Sequence, residues 1–321
     1  MDFLDVYQRY KSDLKEVEHI LAQTVDSKDV TLTQSSVHLL EAGGKRIRPL
    51  FALMCGRFGS GDKQRVYSLA AAMELLHMAT LVHDDVIDDA LLRRGRPTVK
   101  SQYGNLPAMY AGDFLFAKAI LLLNEAATDT VHPRASRSIV KMCEGELDQI
   151  ADFFNAGQSF RDYFRRIQRK TALLIELSCS LGATVTGASR EVTRALGRFG
   201  RYTGMAFQII DDILDFTGDE KLVGKRVGSD LRQGNLTYPT LYTLTCTDYG
   251  QVQTARIRPD MSDDDIDLVL AAVQKSHGIE MARETARRYM EKGLGAISGL
   301  EAHPAHAELV CAAEFINHRL Y

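Results

Sequence analysis

Apolar residues recur every three or four positions along almost the whole chain, the spacing of one face of an α-helix. On that period helices or helix pairs are expected over 4–25, 30–43, 63–90, 107–127, 134–153, 160–186, 190–217 and 236–247. The C-terminal stretches 262–275, 278–299 and 304–320 read the same way. No stretch alternates apolar and polar residues as a half-buried strand does, and no Asn-Gly turn joins two such runs. Of the seven prolines, Pro49, Pro107 and Pro239 fall where helices should start or stop.

The breaks between periodic stretches are GGKRIRP (43–49), FGSGDK (58–63), RRGRP (93–97), TDTVHP (128–133) and GDEKLVGKRVGSDLRQGN (218–235). The last exceeds an ordinary connection, and long loops beside a site often act as lids. No shift in composition marks a domain boundary. The pattern therefore predicts one all-α domain spanning 1–321, built around a central helical bundle.

Composition adds limits. A hydrophobic content of 45% supports a sizeable core, and a net charge of −3 gives no bulk attraction to nucleic acid or anionic membrane. The five cysteines are scattered and odd in number, which suits thiols in a reducing cytoplasm better than a disulfide framework. The N-terminus lacks the basic, apolar and cleavage regions of a leader, and no run of eighteen apolar residues occurs, so no spanning helix is expected.

Chemistry enters with two clusters of one form, Asp-Asp-x-x-Asp. They are Asp84, Asp85 and Asp88 in LVHDDVIDDALLRRGRP, and Asp211, Asp212 and Asp215 in FQIIDDILDFTGD. Residues three and four apart on a helix share a face, so the carboxylates of each cluster converge. An acidic run is ordinarily a solvated face, but apolar residues flank these acids on both sides. Converging carboxylates repel and are costly to bury. A hard divalent cation offsets that cost, and a site of few carboxylates suits Mg²⁺ that also holds substrate phosphates. Two such plates facing one cavity would grip a diphosphate.

Phosphate also needs cations. Lys45, Arg46 and Arg48 lie in GGKRIRP, Arg93, Arg94 and Arg96 follow the first acidic cluster, and Lys170 precedes Thr171 in RRIQRKTALL. Arginine offers a planar fork to phosphate oxygens and lysine a point charge. Any one of these groups would pass as ordinary surface charge; their association with Gly, Pro and the acidic clusters points to a site. His77 lies two helical turns before Asp84 on the same face, where a satisfied core histidine and a substrate hydrogen bond are both open readings. Gln208 precedes Asp211 by three and Asp212 by four, as a polar neighbour of whatever the metals hold.

These motifs together resemble the trans-isoprenyl diphosphate synthases, or polyprenyl synthetases. The matching elements are GGKRIRP, LVHDDVIDDALLRRGRPT, Gly112-Asp113, Arg169-Lys170-Thr171, FQIIDDILDFTGD and GKRVGSDLRQGNLTYP, in the family's order over 40–240. RRGRPTVKSQYGNLPAMYAGDFLFA, EGELDQI, RKTALLIELSCSLGA and DLRQGNLTYPTLY bring it nearest to the heptaprenyl-forming branch, whose product becomes a menaquinone side chain. The resemblance implies an all-α bundle with a deep central active-site cavity. It implies that Lys45, Arg48, His77 and Arg94 hold isopentenyl diphosphate, and that Arg93, Lys170, Thr171, Gln208 and Lys225 lie at the allylic diphosphate. It places Mg²⁺ at Asp84, Asp88 and Asp211 and, more loosely, at Asp85, Asp212 and Asp215. Lys170, Thr171, Gln208, Asp84 and Asp211 are then the catalytic set. Two residues depart from the family's pattern: Arg226 where Pro is common, and Asn235 where many members have Lys.

The chemistry so implied is ionisation of an allylic diphosphate followed by attack of isopentenyl diphosphate on the cation, in a dry apolar cavity. A terpene cyclase of the same fold would carry a wider Asn/Asp, Ser/Thr, Glu motif in place of the second aspartate cluster. A non-catalytic prenyl-binding subunit would need no metal acids. The growing tail should run from Asp84 down the preceding helix past Thr80, Ala79 and Leu76, whose helical spacing puts them on its path. Short-chain members carry bulky aromatics at the first two of these positions; the small residues here predict long products, heptaprenyl or of neighbouring length. The long apolar stretch LPAMYAGDFLFAKAILLL either docks another chain or lies at the centre of its own bundle. The resemblance, to a component that works with a smaller unlike subunit, implies an obligate oligomer with such a subunit ahead of a homodimer.

Overall fold

The computed structural model describes residues 2–93, 95–126, 129–218 and 227–317. Arg94, Lys225 and Arg226 lie outside the described residues. The chain is helical as its period demands: α1 (Phe3–Arg9), α2 (Lys11–Thr24), α3 (Val30–Glu41), α4 (Ile47–Gly56), α5 (Lys63–Ile87), α6 (Val99–Tyr103), α7 (Asn105–Glu125), α8 (Val131–Ala151), α9 (Phe160–Ile167) and α10 (Leu173–Val185). There follow α11 (Arg190–Thr217), α12 (Ser229–Arg232), α13 (Tyr238–Cys246), α14 (Gly250–Thr254), α15 (Asp263–Lys275), α16 (Gly278–Ala296) and α17 (Pro304–Asn317). Several starts are fixed by caps that the sequence displays. Asp62 accepts from the Gln64 amide at the head of α5, and Ser159 with Asp162 forms a capping box on α9, as Ser262 with Asp265 does on α15.

Three departures from the expected elements have local causes. α4 was not expected, because Pro49 reads as a breaker; it stands in the helix's first turn, where its missing N–H costs nothing. The stretch 92–97 forms a small antiparallel ribbon, β1 (Leu92–Arg93) with β2 (Arg96–Pro97), which Gly95 permits by turning at φ 74°. The helix expected over 160–186 is interrupted by a π-helical turn at Gln168–Ala172, a form concentrated at functional sites.

The described residues gather into two compact units. The first comprises 1–137, 174–200 and 296–312. Its axis is α5, on which α7, α4 and α2 pack. α5 buries apolar side chains on nearly every side from Leu69 to Val82, including Ala70, Ala71, Ala72, Met73, Leu75, Leu76 and Ala79, so it is a core helix. α7 passes so close that a Cβ at Gly112 would lie 2.2 Å from His83 Nε2. α4 and α10 also cross tightly, with Gly182 against the Ala52 carbonyl. Tyr10 donates 2.5 Å to the buried carboxylate of Glu308, which Arg57 also holds at 2.8 Å.

The second unit comprises 138–173, 201–295 and 313–321. Within it α13 packs on α9, α14 and α15. Tyr163 and Tyr238 meet edge to face with their centroids 5.9 Å apart.

The expectation of no spanning helix is corrected in one respect. By length and composition α5 and α7 are each apolar enough to cross a membrane. An unbroken apolar run is the wrong signal here, because isolated charges such as Glu74 in α5 and Asp113 and Lys118 in α7 interrupt each helix without making its average polar. In α5 72% of the most apolar stretch is buried in the protein, against 39% in α7. α5 is thus accounted for as core, while α7 leaves Leu106, Met109, Tyr110, Ile120 and Leu121 exposed. None of Cys55, Cys143, Cys179 and Cys246 is in a disulfide.

Candidate active site

The first acidic motif closes α5. Asp84 and Asp85 are buried and Asp88, at the C-cap, is half-buried. Arg93 folds back along the ribbon and grips Asp85 Oδ1 with Nε at 2.8 Å and Nη2 at 2.7 Å. The segment after the ribbon is pinned by Thr98, whose hydroxyl donates 2.7 Å to the Ala90 carbonyl, and by the ion pair of Lys100 with Asp89. A cleft opens beside this end of α5. It brings together Asp85, His77 and Arg93 with His38, Arg46 and Arg96.

GGKRIRP enters the same cleft through Gly43 and Arg46. Its cations divide. Arg46 is buried, with Nε 2.6 Å from Glu18 and Nη1 2.8 Å from Glu74. Its backbone is left-handed, at φ 45°, which a non-glycine residue adopts only when its surroundings impose it. Arg46 is therefore an anchor of the loop, although the sequence grouped it with the anion-binding cations. Lys45, exposed, and Arg48, half-buried, flank that anchor.

Leu76 and Ala79 are fully buried on α5, and Thr80 is half-buried with its hydroxyl donating 2.8 Å to the His77 carbonyl.

In the second unit the other acidic motif occupies the last turns of α11, and its three carboxylates differ. Asp211 is half-buried. Asp215 accepts from the Ser229 amide and hydroxyl at 3.1 and 2.7 Å and from the Asp230 amide at 3.2 Å, so it caps α12. Asp212 is enclosed: Tyr163 donates to Oδ2 at 2.6 Å and Gln208 Nε2 to Oδ1 at 2.9 Å. Burial pushes the Asp212 carboxyl up to about 6, against the pull of these two hydrogen bonds.

Gln208 turns its carbonyl the other way and accepts from Thr171 at 2.5 Å. Thr171 lies in the π-helical turn, which α11 meets at a glycine; a Cβ at Gly204 would stand 2.6 Å from Ala172 Cα. The same turn carries Lys170, paired with Glu146 at 3.0 Å, and Arg169, paired with Asp148 at 2.7 Å. Thus α8 supplies the acidic partners of Arg169 and Lys170. Thr171, Gln208 and Asp212 are joined in one hydrogen-bonded line. Tyr163, Arg166 and Glu146 were not anticipated there. Tyr163 precedes Lys170 by seven residues, a helical repeat that hints at a shared face, but no spacing links it to Asp212.

Both motifs sit at helix C-termini. The exposed carbonyls of a last turn carry partial negative charge and disfavour acids there. Neither last turn holds a basic residue to compensate. Among the described residues no group of three or more His, Cys, Asp or Glu side chains is gathered tightly enough to hold a metal ion. Hard oxygen donors spread in this way fit Mg²⁺, which keeps much of its shell for water and phosphate oxygens.

Comparison with known proteins gives a concordant picture. The family description "Polyprenyl synthetase" matches residues 29–273. Heptaprenyl diphosphate synthase component 2 of Geobacillus stearothermophilus is 45% identical over 316 residues, 98% of each chain. Among solved structures, heptaprenyl diphosphate synthase from Staphylococcus aureus is similar at a TM-score of 0.93 and 40% identity, over 97% of this chain and 98% of that one. A polyprenyl synthase from Caulobacter crescentus, complexed with calcium and isoprenyl diphosphate, is similar at a TM-score of 0.94 and 29% identity, over 100% of this chain and 98% of that one.

Proposed function

The chain belongs to the polyprenyl synthetase family, and we propose that it is a Mg²⁺-dependent long-chain trans-prenyltransferase, working as one domain over 1–321, that condenses isopentenyl diphosphate with an allylic diphosphate to make heptaprenyl diphosphate for a menaquinone side chain. One observation carries the reading. Two Asp-Asp-x-x-Asp motifs end long helices, where the backbone itself opposes acids, and neither helix carries a basic residue in its last turn. Such carboxylates are held ready for cations that arrive with the substrate.

Asp84, Asp88 and Asp211 would hold Mg²⁺, with Asp85, Asp212 and Asp215 contributing through the groups they position. When bound, the metal would neutralise the diphosphate that leaves. The remaining work falls to the protein. Asp85 sets the guanidinium of Arg93 beside the first motif, and Glu146 sets the ammonium of Lys170 at the π-helical turn. These cations, with Arg94 and Lys225, would accept charge as the allylic C–O bond breaks. Lys45, Arg48 and His77 would hold isopentenyl diphosphate for attack. Thr171 and Gln208 offer oxygen atoms rather than acidic protons to a developing carbocation. The proton lost in each condensation would go to the departing diphosphate. The tail would run along α5 past Ala79, Leu76 and Thr80, where Ala79 puts no bulky side chain in its way. The catalytic set is then Lys170, Thr171, Gln208, Asp84 and Asp211.

A smaller, unlike subunit would cover the exposed apolar side of α7, ahead of a second copy of this chain. The component-2 name of the Geobacillus relative accords with such a partner. The cytoplasm is the proposed location, on the scattered cysteines. The decisive experiment supplies labelled isopentenyl diphosphate with allylic primers of several lengths, with and without a companion subunit, and separates products by chromatography. Mg²⁺-dependent linear chains of heptaprenyl length support the reading. Absence of elongation under all conditions, or cyclic hydrocarbon products, overturns it.

A further inference from the structure

Thr171, Gln208 and Asp212 form a hydrogen-bonded line whose far end lies on α9. There Tyr163, fully buried, donates to Asp212 at 2.6 Å. Arg166, one turn further along α9, stands 5.6 Å over the Tyr163 ring and donates 2.7 Å to the Leu236 carbonyl. It is itself buried, and so holds both the ring and the returning chain after α12 in place.

Donor and acceptor counting gives this line a direction. An ionised carboxylate only accepts. Both Asp212 oxygens receive protons, one from the Tyr163 hydroxyl and one from the Gln208 amide. The Gln208 carbonyl must then face Thr171, and it takes the Thr171 hydroxyl proton at 2.5 Å. Thr171 is left with lone pairs alone to present elsewhere. Turning the Gln208 amide would set its carbonyl against Asp212 Oδ1 and its nitrogen against Thr171, so that the Thr171 hydroxyl hydrogen would point outward, where it would oppose positive charge.

We infer that Tyr163 is a positioning residue for this line: its hydroxyl fixes Asp212 and so the orientation in which Gln208 and Thr171 present oxygen to the reacting allylic group. The inference rests on the prenyl-transfer reading and adds a residue that does not itself touch substrate. Without the phenol oxygen, Asp212 Oδ2 loses its donor in a buried place and the carboxylate can rotate. Gln208 then has no fixed partner on its nitrogen side.

The test begins with the hydrogen bond itself. In the substrate-free protein the Tyr163 hydroxyl proton should give a downfield NMR signal, lost in Tyr163→Phe and shifted in Asp212→Asn. Its absence from the wild-type protein would overturn the inference whatever the enzyme's activity. Steady-state kinetics follow, on the wild-type enzyme assembled with whatever partner it needs. Tyr163→Phe should lower kcat by about 10–100-fold, the usual cost of losing a residue that orients a functional group. KM for isopentenyl diphosphate should not change. Asp212→Asn, of the same shape, lets an amide donate to Gln208 and should lower kcat similarly. The double variant should be no slower than the slower single one, as expected for residues acting through one line. Wild-type kcat in either single variant, a change confined to KM, or additive losses in the double variant would each refute the role. If Tyr163→Phe does not fold, the NMR signal and Asp212→Asn decide.

Discussion

Asp84 and Asp211 carry the largest expected effects at the scale of single residues. Each would hold a cation against the leaving diphosphate, and one electrostatic contact of this kind is worth about 10²–10³-fold in rate. Asp84→Ala and Asp211→Ala should each lose at least that much turnover at saturating Mg²⁺. Near-wild-type turnover in either would contradict the metal assignment. Ala79 is fully buried, so Ala79→Phe places a ring where the tail would pass. Overfilling costs about 1–3 kcal/mol, and chromatography should show shorter products; unchanged chain length would place the floor elsewhere. The acids and Gln208 stood out because they recur at helical spacing within short stretches, whereas Thr171 entered only through the Arg169-Lys170-Thr171 element of the resemblance. Tyr163 and Glu146 were not legible. Tyr163 meets Asp212 across 49 positions and Glu146 meets Lys170 across 24, and helical periodicity says nothing about which distant face a helix will meet. Arg46 was misread for a related reason: a cation looks the same in sequence whether it faces a phosphate or Glu18 and Glu74.

At the scale of elements the periodic helices were legible and the exceptions were not. α5, α7, α8 and α11 appear close to their expected limits because each repeats its apolar residues at helical spacing over its whole length. α4 was hidden by Pro49, whose effect depends on the turn in which it falls. The π-helical turn was hidden because the apolar period does not distinguish it from the α-helix on either side; α11 packs against the segment that holds Thr171. Gly204 is the point of closest approach. Gly204→Ala tests that packing with two opposed effects. Alanine within a helix is favoured over glycine by about 0.5–1 kcal/mol. The new Cβ, however, would stand 2.6 Å from the backbone Cα of Ala172, which cannot swing aside as a side chain can. The strain should prevail, at about 1–3 kcal/mol. Thermal unfolding should therefore show a lower Tm for Gly204→Ala, with turnover reduced because Thr171 moves with the turn. A Tm equal to or above wild type would show that the contact yields freely.

At the scale of the whole molecule the all-α class was legible from the period alone, and the completeness of the chain as an enzyme was not. A helix with apolar residues on every side looks the same in sequence whether its own chain or another covers it. The structure separates the two cases. α5 is enclosed, whereas α7 exposes Leu106, Tyr110 and Leu121 at 67%, 61% and 57% of their accessible surface. Large apolar side chains grouped along one helix are unfavourable in water, and a second polypeptide relieves the cost. The purified chain alone should show little long-chain synthase activity, and addition of a smaller companion subunit should restore it. Leu106→Lys with Leu121→Glu should abolish that response while leaving the circular dichroism of the isolated chain unchanged, because both side chains already face away from its core. Full activity of the isolated chain at a concentration where sedimentation shows a homodimer would establish a second copy as the occupant of this face. Full activity as a monomer would show that α7 needs no cover for catalysis.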